Sequence, residues 1–269
     1  MVPQRAELDD TSVGLKATAD ILRSHHLEMG TPCESVAPRA RCGTRATSGR
    51  FRADYDQRMV ERPSAPRRIG EIDVPHDEVS DAAWREASRL PTYLLHHSVR
   101  SYCWGVKIAA AEGWAFDRRI LWTAALLHDR GLTRIARDRD CFEVAGGAFA
   151  RRFLMRAGLP AGDAERVDRA IVLHMRPGVT PADGVEAVLL DRATAIDVRG
   201  TEFGLIDAVR AAVVRAHPRG SFDRFFLAAI RRETALRPGC QSARLLHETG
   251  LADWMARSPW ASEGAPDGR

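Results

Sequence analysis

Long hydrophobic segments are absent from this chain. Its longest apolar run without a charged residue covers residues 120–127, whereas a transmembrane helix needs about 20 such residues. The opening sequence MVPQRAELDD also lacks the apolar segment that a secretory signal contains. These two absences predict a cytoplasmic protein with no membrane partner.

Cysteine is scarce and scattered along the chain. The five cysteines are widely spaced, and no two of them form a CxxC pair. A disulfide framework and a thiolate zinc site are therefore not expected, and reduced thiols are the prediction. The five are Cys33, Cys42, Cys103, Cys141 and Cys240.

Lysine is nearly missing. The chain carries 40 basic and 36 acidic residues, for a formal net charge of +4, and only Lys16 and Lys107 are lysines. The basic excess lies almost wholly in residues 1–70, whereas a nucleic-acid-binding protein usually has a concentrated basic face. We therefore expect no clear nucleic-acid surface and a small molecule as the partner, and leave the formation of a homo-oligomer open.

Composition divides the chain into three parts. Residues 1–70 are rich in Pro, Gly, Ser, Thr and Arg and lack apolar periodicity, which predicts a poorly ordered arm. Residues 71–258 form the predicted folded domain, and residues 259–269 a flexible tail. In the folded domain apolar residues recur every three or four positions, which predicts an all-α bundle. Its helices are expected at 78–89, 92–112, 117–130, 142–157, 163–175, 183–198, 202–216, 222–234 and 241–256.

A buried helix is predicted to end in a His-Asp pair. Residues 120–127 are apolar on every face of this helix, which places it in the core. His128 and Asp129 follow at its C-terminal end, and Gly131 is expected to stop it in the left-handed conformation. An aspartate there meets the negative end of the helix dipole and loses solvation. A divalent cation would compensate both effects. The alternative is that Arg130 pairs with Asp129 while His128 bonds to a core carbonyl.

A second histidine lies on another central helix. His97 and Arg100 share one face of the predicted helix 92–112. The neighbouring guanidinium favours neutral imidazole, which is the form that binds metals. The alternative is that Arg100 meets a carboxylate and His97 is an ordinary core histidine.

Two carboxylates compete for a place at this site. Asp197 lies on a small apolar face near the end of the predicted helix 183–198, and it needs a ligand or a donor unless it faces water. Asp191 lies elsewhere on that helix and is followed by Arg192, a ready ion-pair partner. His174, at the end of the apolar segment AIVLHM, is the remaining internal histidine.

These motifs resemble the HD superfamily of metal-dependent hydrolases, whose signature is H…HD…D on a helical bundle. The local sequence is most similar to the branch that contains cyanamide hydratase. HHSVRSY (96–102) is similar to NHSxRxY, LLHDRGLT (126–133) to LLHDxGLT, and CFEVAGGAFA (141–150) to FExxGA. AIVLHM, AIDVRG and HPRGSF follow in the family's order, so the resemblance covers about residues 72–255.

The resemblance implies one bound divalent ion, with zinc favoured over Fe, Mn, Co or Ni. Its ligands would be His97, His128, Asp129 and Asp197, so the resemblance selects Asp197 over Asp191. Water activated by this ion would attack a small electrophile, with cyanamide hydrated to urea in the closest branch. His174 is expected to transfer a proton or contact the substrate.

Four further residues are expected near this site. Glu143 would orient a ligand or is simply a first-turn acid favoured by the helix dipole. Arg100 would orient Asp129 or bind an anionic substrate, and Trp104 and Tyr93 would line the pocket or simply belong to the core.

Three departures from the family pattern bear on the substrate. His96 replaces Asn, Arg130 an aliphatic residue, and Met175 a Thr or Ser. One alternative function is hydrolysis of a nucleotide or phosphate ester, with Arg130, Arg134 and Arg137 binding the phosphate. The other is a non-catalytic regulatory or binding module.

Overall fold

The computed structural model describes residues 64–133 and 140–263 and is mostly helical. The predicted all-α fold is confirmed, and the residues of the predicted arm up to 63 lie outside the described part. The α-helices are α1 (Glu78–Ala87), α2 (Thr92–Glu112), α3 (Arg118–Leu127), α4 (Phe142–Arg156), α5 (Ala161–Leu173), α6 (Val185–Arg199), α7 (Asp207–Ala216), α8 (Phe222–Leu236), α9 (Gln241–His247), α10 (Leu251–Arg257) and α11 (Trp260–Glu263). Turns of 3-10 helix cover His128–Thr133, Pro181–Asp183 and Phe203–Ile206.

Helix starts and stops follow local chemistry. The side chain of Asp77 accepts from two backbone N–H groups in the first turn of α1, and Asp117 does the same for α3. Gly113 ends α2 in the left-handed conformation. The predicted helix 241–256 is instead α9 and α10, because Gly250 between them has a φ of +67°.

The centre of the bundle is formed by α2, α3 and α6. Residues 120–127 of α3 are all buried, as their apolar pattern predicts. α2 packs on both α3 and α6, and α5 packs on α3, α4 and α6. The C-terminal end of α3 therefore lies inside the molecule, with the His-Asp pair directly after it. Within the described residues no helix combines the length and the apolar character needed to cross a bilayer.

Gly131 has a different role from the predicted left-handed stop. It lies in the 3-10 helix after α3, and its φ is not positive. A Cβ at this position would lie 2.0 Å from the carbonyl oxygen of Phe142, the first residue of α4. The prediction was wrong because the chain continues as a 3-10 helix here, and glycine allows α4 to approach it closely.

Both ends of the described chain pack on the core. Ala65 and Ile69, which the composition places in the arm, are buried. Ile69 belongs to a short antiparallel hairpin of β1 (Arg68–Ile69) and β2 (Ile72–Asp73). Trp260, which the composition places in the tail, is buried and donates its indole N–H to the Ile196 carbonyl.

One disulfide bond corrects the prediction of reduced thiols. Cys141 and Cys240 are bonded across a sequence separation of 99 residues, and the bond joins the N-cap positions of α4 and α9. Spacing alone did not reveal the pair, because only the folded chain brings these two helix starts together. Cys103 is free and buried, while Cys33 and Cys42 lie outside the described residues.

Candidate metal centre

Three of the predicted ligands meet inside the bundle. His97 comes from the second turn of α2, and His128 and Asp129 begin the 3-10 helix that follows α3. One ligand atom from each residue lies within 4.8 Å of the others, and all three side chains are buried. The packing of α2 on α3 thus brings together side chains that are separated in sequence.

Hydrogen bonds fix the orientation of both imidazole rings. His128 Nδ1 lies 2.7 Å from the Ala125 carbonyl oxygen, and His97 Nδ1 lies 2.7 Å from Asp197 Oδ2. Each acceptor requires a proton on Nδ1, which leaves the Nε2 lone pair of each ring free. The two Nε2 atoms are 3.1 Å apart. Two lone pairs at this distance require a proton or a cation between them.

Asp129 adds a third acceptor to the same point. Its Oδ2 is buried, accepts no hydrogen bond from the described residues, and lies 3.4 Å from His128 Nε2 and 3.7 Å from His97 Nε2. Burial alone would raise the pKa of Asp129, but a protonated His128 beside it would hold that pKa at about 2. Burial likewise opposes the charged form of His128, but Asp129 raises its pKa. The carboxylate thus needs a positive partner here.

This donor set fits a divalent cation. Imidazole and carboxylate suit zinc and other first-row divalent metals, and His97 and His128 each carry the outer hydrogen bond that metal-binding histidines usually make. The orphaned Asp129 Oδ2 is the atom that such an ion would satisfy. Arg130 does not pair with Asp129, because it bonds to Glu86 Oε1 at 2.9 Å and stacks over Phe149.

Asp197 lies beside the three residues but makes different contacts. Its Oδ2 accepts from His97 Nδ1 and from Arg100 at 2.8 Å, and its Oδ1 accepts from Arg100 Nε and Trp104 Nε1, both at 2.8 Å. In this arrangement Asp197 orients His97 and fixes its tautomer. The ligand role that the resemblance implies for Asp197 stays a prediction.

Two guanidinium groups hold this carboxylate ionised. Burial would raise the pKa of Asp197, but Arg100 outweighs it and keeps the pKa well below the usual range. Arg219 also donates to the Asp197 backbone carbonyl and lies between the rings of Phe222 and Trp260. Arg100 therefore binds Asp197, and the expectation that it orients Asp129 was wrong.

His174 faces the three candidate ligands from the end of α5. Its ring centroid lies 4.9 Å from that of His128, and its Nδ1 lies 2.6 Å from the Ile171 carbonyl oxygen. Burial, aided by the charge on His128, lowers the pKa of His174 to about 3. Its Nε2 is thus a neutral hydrogen-bond acceptor. Its role in proton transfer stays a prediction.

The other predicted residues surround the site without lining its cavity. Glu143 is buried in the first turn of α4, which packs on the 3-10 helix of the His-Asp pair. Trp104 donates its indole N–H to the Asp197 carboxylate. The Tyr93 ring packs at a tilt against Phe225, and His96 Nδ1 lies 3.0 Å from the Pro218 carbonyl oxygen. Arg134 and Arg137 lie outside the described residues.

A cavity of about 220 Å³ opens from the three candidate ligands. Its inner end is formed by His97, His128, Asp129 and His174. One wall is a face of α6 that repeats with helical spacing, and it consists of Asp191, Thr194, Ala195, Val198 and Arg199. Met175, Arg176, Gln241 and Arg244 lie among the remaining lining residues. Of the three departures from the family pattern, only Met175 reaches the cavity.

Asp191 and Arg199 were not predicted to line the cavity. The family resemblance selects Asp197 over Asp191 as a ligand and assigns Asp191 no role. The helical spacing of this α6 face is the sequence signal that groups Asp191 with Arg199. Gln241 and Arg244 gave no signal, because only the folded chain shows where α9 packs.

The fold and the site define a helical protein with a buried His-His-Asp group suited to a divalent metal. Residues 94–209 match the family model described as the HD domain. HD domains are typically metal-dependent hydrolases. The match contains all four residues of the predicted signature together with His174. No curated protein matches the chain.

Proposed function

We propose that this protein is a metal-dependent hydrolase or hydratase acting on a small electrophile. The observation that supports it is the convergence of His97 Nε2, His128 Nε2 and Asp129 Oδ2 at the inner end of a cavity. A divalent cation held there would lower the pKa of a water molecule and polarise the electrophile. Its identity as zinc belongs to this proposal.

The chain's own residues supply the remaining requirements of the reaction. Asp197 and Ala125 hold the two imidazole rings with their Nε2 atoms towards the cavity. His174 Nε2 can accept a hydrogen bond from the attacking water and thereby orient it. The buried inner end excludes bulk water, which strengthens each of these interactions.

Hydration of cyanamide or a small nitrile is the first substrate class that we propose. It is supported by the resemblance of the motifs around the candidate ligands to those of the cyanamide hydratase branch. The cavity next to the candidate ligands accommodates a small uncharged electrophile.

Hydrolysis of a phosphate ester is a second candidate, and the arginines of the cavity favour it. Arg176, Arg199 and Arg244 line the cavity and would attract an anion. Arg130, which the sequence suggested for this role, is instead paired with Glu86.

Metal analysis and a substrate panel test this proposal. The wild type, loaded with zinc and desalted, should retain about one ion per chain, whereas His128→Ala should retain none. His247→Ala is the matched control, because His247 is exposed and lies outside the cavity. Absence of bound metal in the wild type would refute the proposal.

The panel compares cyanamide and small nitriles with nucleotides and a chromogenic phosphate ester. We expect turnover of the nitrile class, with loss in His128→Ala and retention in His247→Ala. Turnover of phosphate esters alone, lost in His128→Ala, would eliminate hydration and select the second candidate.

A further inference from the structure

The α6 wall of the cavity carries one acidic and one basic side chain. Asp191 and Arg199 both line the cavity, two helical turns apart. Each is partly buried. Their charges act on each other, but no ion pair within 4 Å joins them in the described structure. Asp191 therefore presents a hydrogen-bond acceptor to the cavity, and Arg199 presents a separate donor.

Most of the other polar groups on these walls already have partners. Thr194 Oγ1 donates to the Asp191 backbone carbonyl, and Thr249 Oγ1 donates to the Leu245 carbonyl. Gln241 donates its amide N–H to the Met175 carbonyl, and Arg244 pairs with Glu248. A ligand that enters this part of the cavity therefore meets few uncommitted polar side chains.

The Asp191 carboxylate is uncommitted. It accepts no hydrogen bond from the described residues, although it is partly buried. Burial raises its pKa to about 6, and the attraction of Arg199 does not offset this effect. Partial burial of an unbonded carboxylate is unfavourable, and such groups in cavities often contact ligands. An N–H group of a ligand would supply the hydrogen bond that the described residues do not donate to this carboxylate.

Arg199 complements this acceptor. Its guanidinium stacks over Trp254 at 4.9 Å and makes no hydrogen bond to the described residues. It therefore retains N–H donors for a substrate oxygen. Between Asp191 and Arg199 on this face, Ala195 and Val198 are apolar, and the Thr194 hydroxyl donates to the Asp191 backbone carbonyl.

We infer that this wall recognises a carboxamide or ureide group of the substrate, at a position apart from the reacting atom. The substrate N–H would donate to Asp191, and its carbonyl oxygen would accept from Arg199. This inference rests on the proposed function, because the reacting group would lie at the candidate metal ligands. The cavity of about 220 Å³ has room for this larger molecule, whereas cyanamide alone would leave the wall uncontacted.

Two probes that differ in one group test the inference. 2-Cyanoacetamide and methyl cyanoacetate share the nitrile and the carbonyl, but only the amide has N–H donors. Their dissociation constants are measured by ligand-observed NMR on metal-free and zinc-loaded protein. The wild type should bind the amide about tenfold more tightly, as a hydrogen bond to a charged acceptor would give.

Two variants separate the roles of the two side chains. Asp191→Ala should weaken amide binding about tenfold and leave ester binding unchanged, because only the amide reaches the carboxylate. Arg199→Met should weaken both probes equally, because both carry the carbonyl. Asp253→Ala is the control for Asp191→Ala, since Asp253 is exposed on α10 and does not line the cavity.

Several outcomes would overturn the inference. These are no preference for the amide in the wild type, no binding of either probe, or an unchanged preference in Asp191→Ala. Retention of a second metal ion that is lost in Asp191→Ala would assign the carboxylate to metal binding instead. Circular dichroism establishes that each variant is folded. If Asp191→Ala fails to fold, Arg199→Met and the wild-type preference still decide the result.

Metal content distinguishes this inference from the proposed function. A protein that binds no metal and turns over no substrate, yet prefers the amide through Asp191, would refute the function alone. A zinc-loaded protein with nitrile turnover and no amide preference would refute the inference alone.

Discussion

Backbone approach at Gly131 decides how the His-Asp pair is held. The 3-10 helix that carries His128 and Asp129 touches the start of α4 so closely that no Cβ fits at this position. Contact with a backbone oxygen cannot be relieved by rotating a side chain. The geometry of the candidate ligands is thus coupled to the docking of α4.

Replacing this glycine should have a large and local effect. Gly131→Ala places a Cβ 2.0 Å from the Phe142 carbonyl oxygen, so α4 must shift. We expect the free energy of unfolding to fall by about 2 kcal/mol or more, and bound metal to decrease. Urea unfolding and metal analysis measure the two effects.

Gly162→Ala is the control for this substitution. Gly162 lies in the first turn of α5, and a Cβ there would have no neighbour within 4 Å. This variant should be unchanged or more stable by up to about 1 kcal/mol. Equal unfolding curves for Gly131→Ala and the wild type would contradict the expected clash.

For single residues, the sequence predicts membership of the site more successfully than it predicts the contacts that each residue makes. His128 and Asp129 follow a run that is apolar on every face, which places them at the end of a buried helix. The role of Gly131 could not be predicted, because it depends on a helix that begins beyond the next loop. The contacts of Arg100 and Trp104 with Asp197 likewise depend on how α2 packs against α6.

Three separate elements of the chain supply the side chains of the site. α2 supplies His97, the 3-10 helix after α3 supplies the His-Asp pair, and α6 supplies both Asp197 and one wall of the cavity. The bounds of α2 are those that its apolar periodicity predicts. The position of α9 has no counterpart in any local pattern, because tertiary contacts alone decide it.

A disulfide bond links α9, which lines the cavity, to α4. Cys240 at the N-cap of α9 is bonded to Cys141 at the N-cap of α4, and Gln241 and Arg244 of α9 line the cavity. Replacing both cysteines by serine should lower the free energy of unfolding by about 2–4 kcal/mol, because the bond limits the unfolded ensemble. Urea unfolding of the double variant and of the wild type measures this loss.

Dithiothreitol provides the control for the disulfide. It should lower the stability of the wild type to that of the double variant and leave the double variant unchanged. Detection of all five thiols by Ellman titration of the unreduced, unfolded wild type would contradict the bond.

For the whole molecule, the central question is how a bundle keeps three acceptors together in its interior. The surrounding core is apolar, and burying polar groups without partners is unfavourable. A cation bound by His97, His128 and Asp129 would link α2 to the 3-10 helix that follows α3. Folding and metal binding should therefore be thermodynamically linked.

Thermal unfolding measures this linkage directly. Because the native state alone has the assembled ligands, zinc at about 100 times its dissociation constant should stabilise the protein by about 2.7 kcal/mol, a rise of roughly 5–10 °C in Tm for a domain of this size. A chelator should reverse the rise. His128→Ala should show no shift, because it removes one of the three donors, whereas His247→Ala should respond like the wild type. An equal rise in His128→Ala and the wild type would mean that zinc binds elsewhere, and the buried acceptors would then have to be satisfied by a proton.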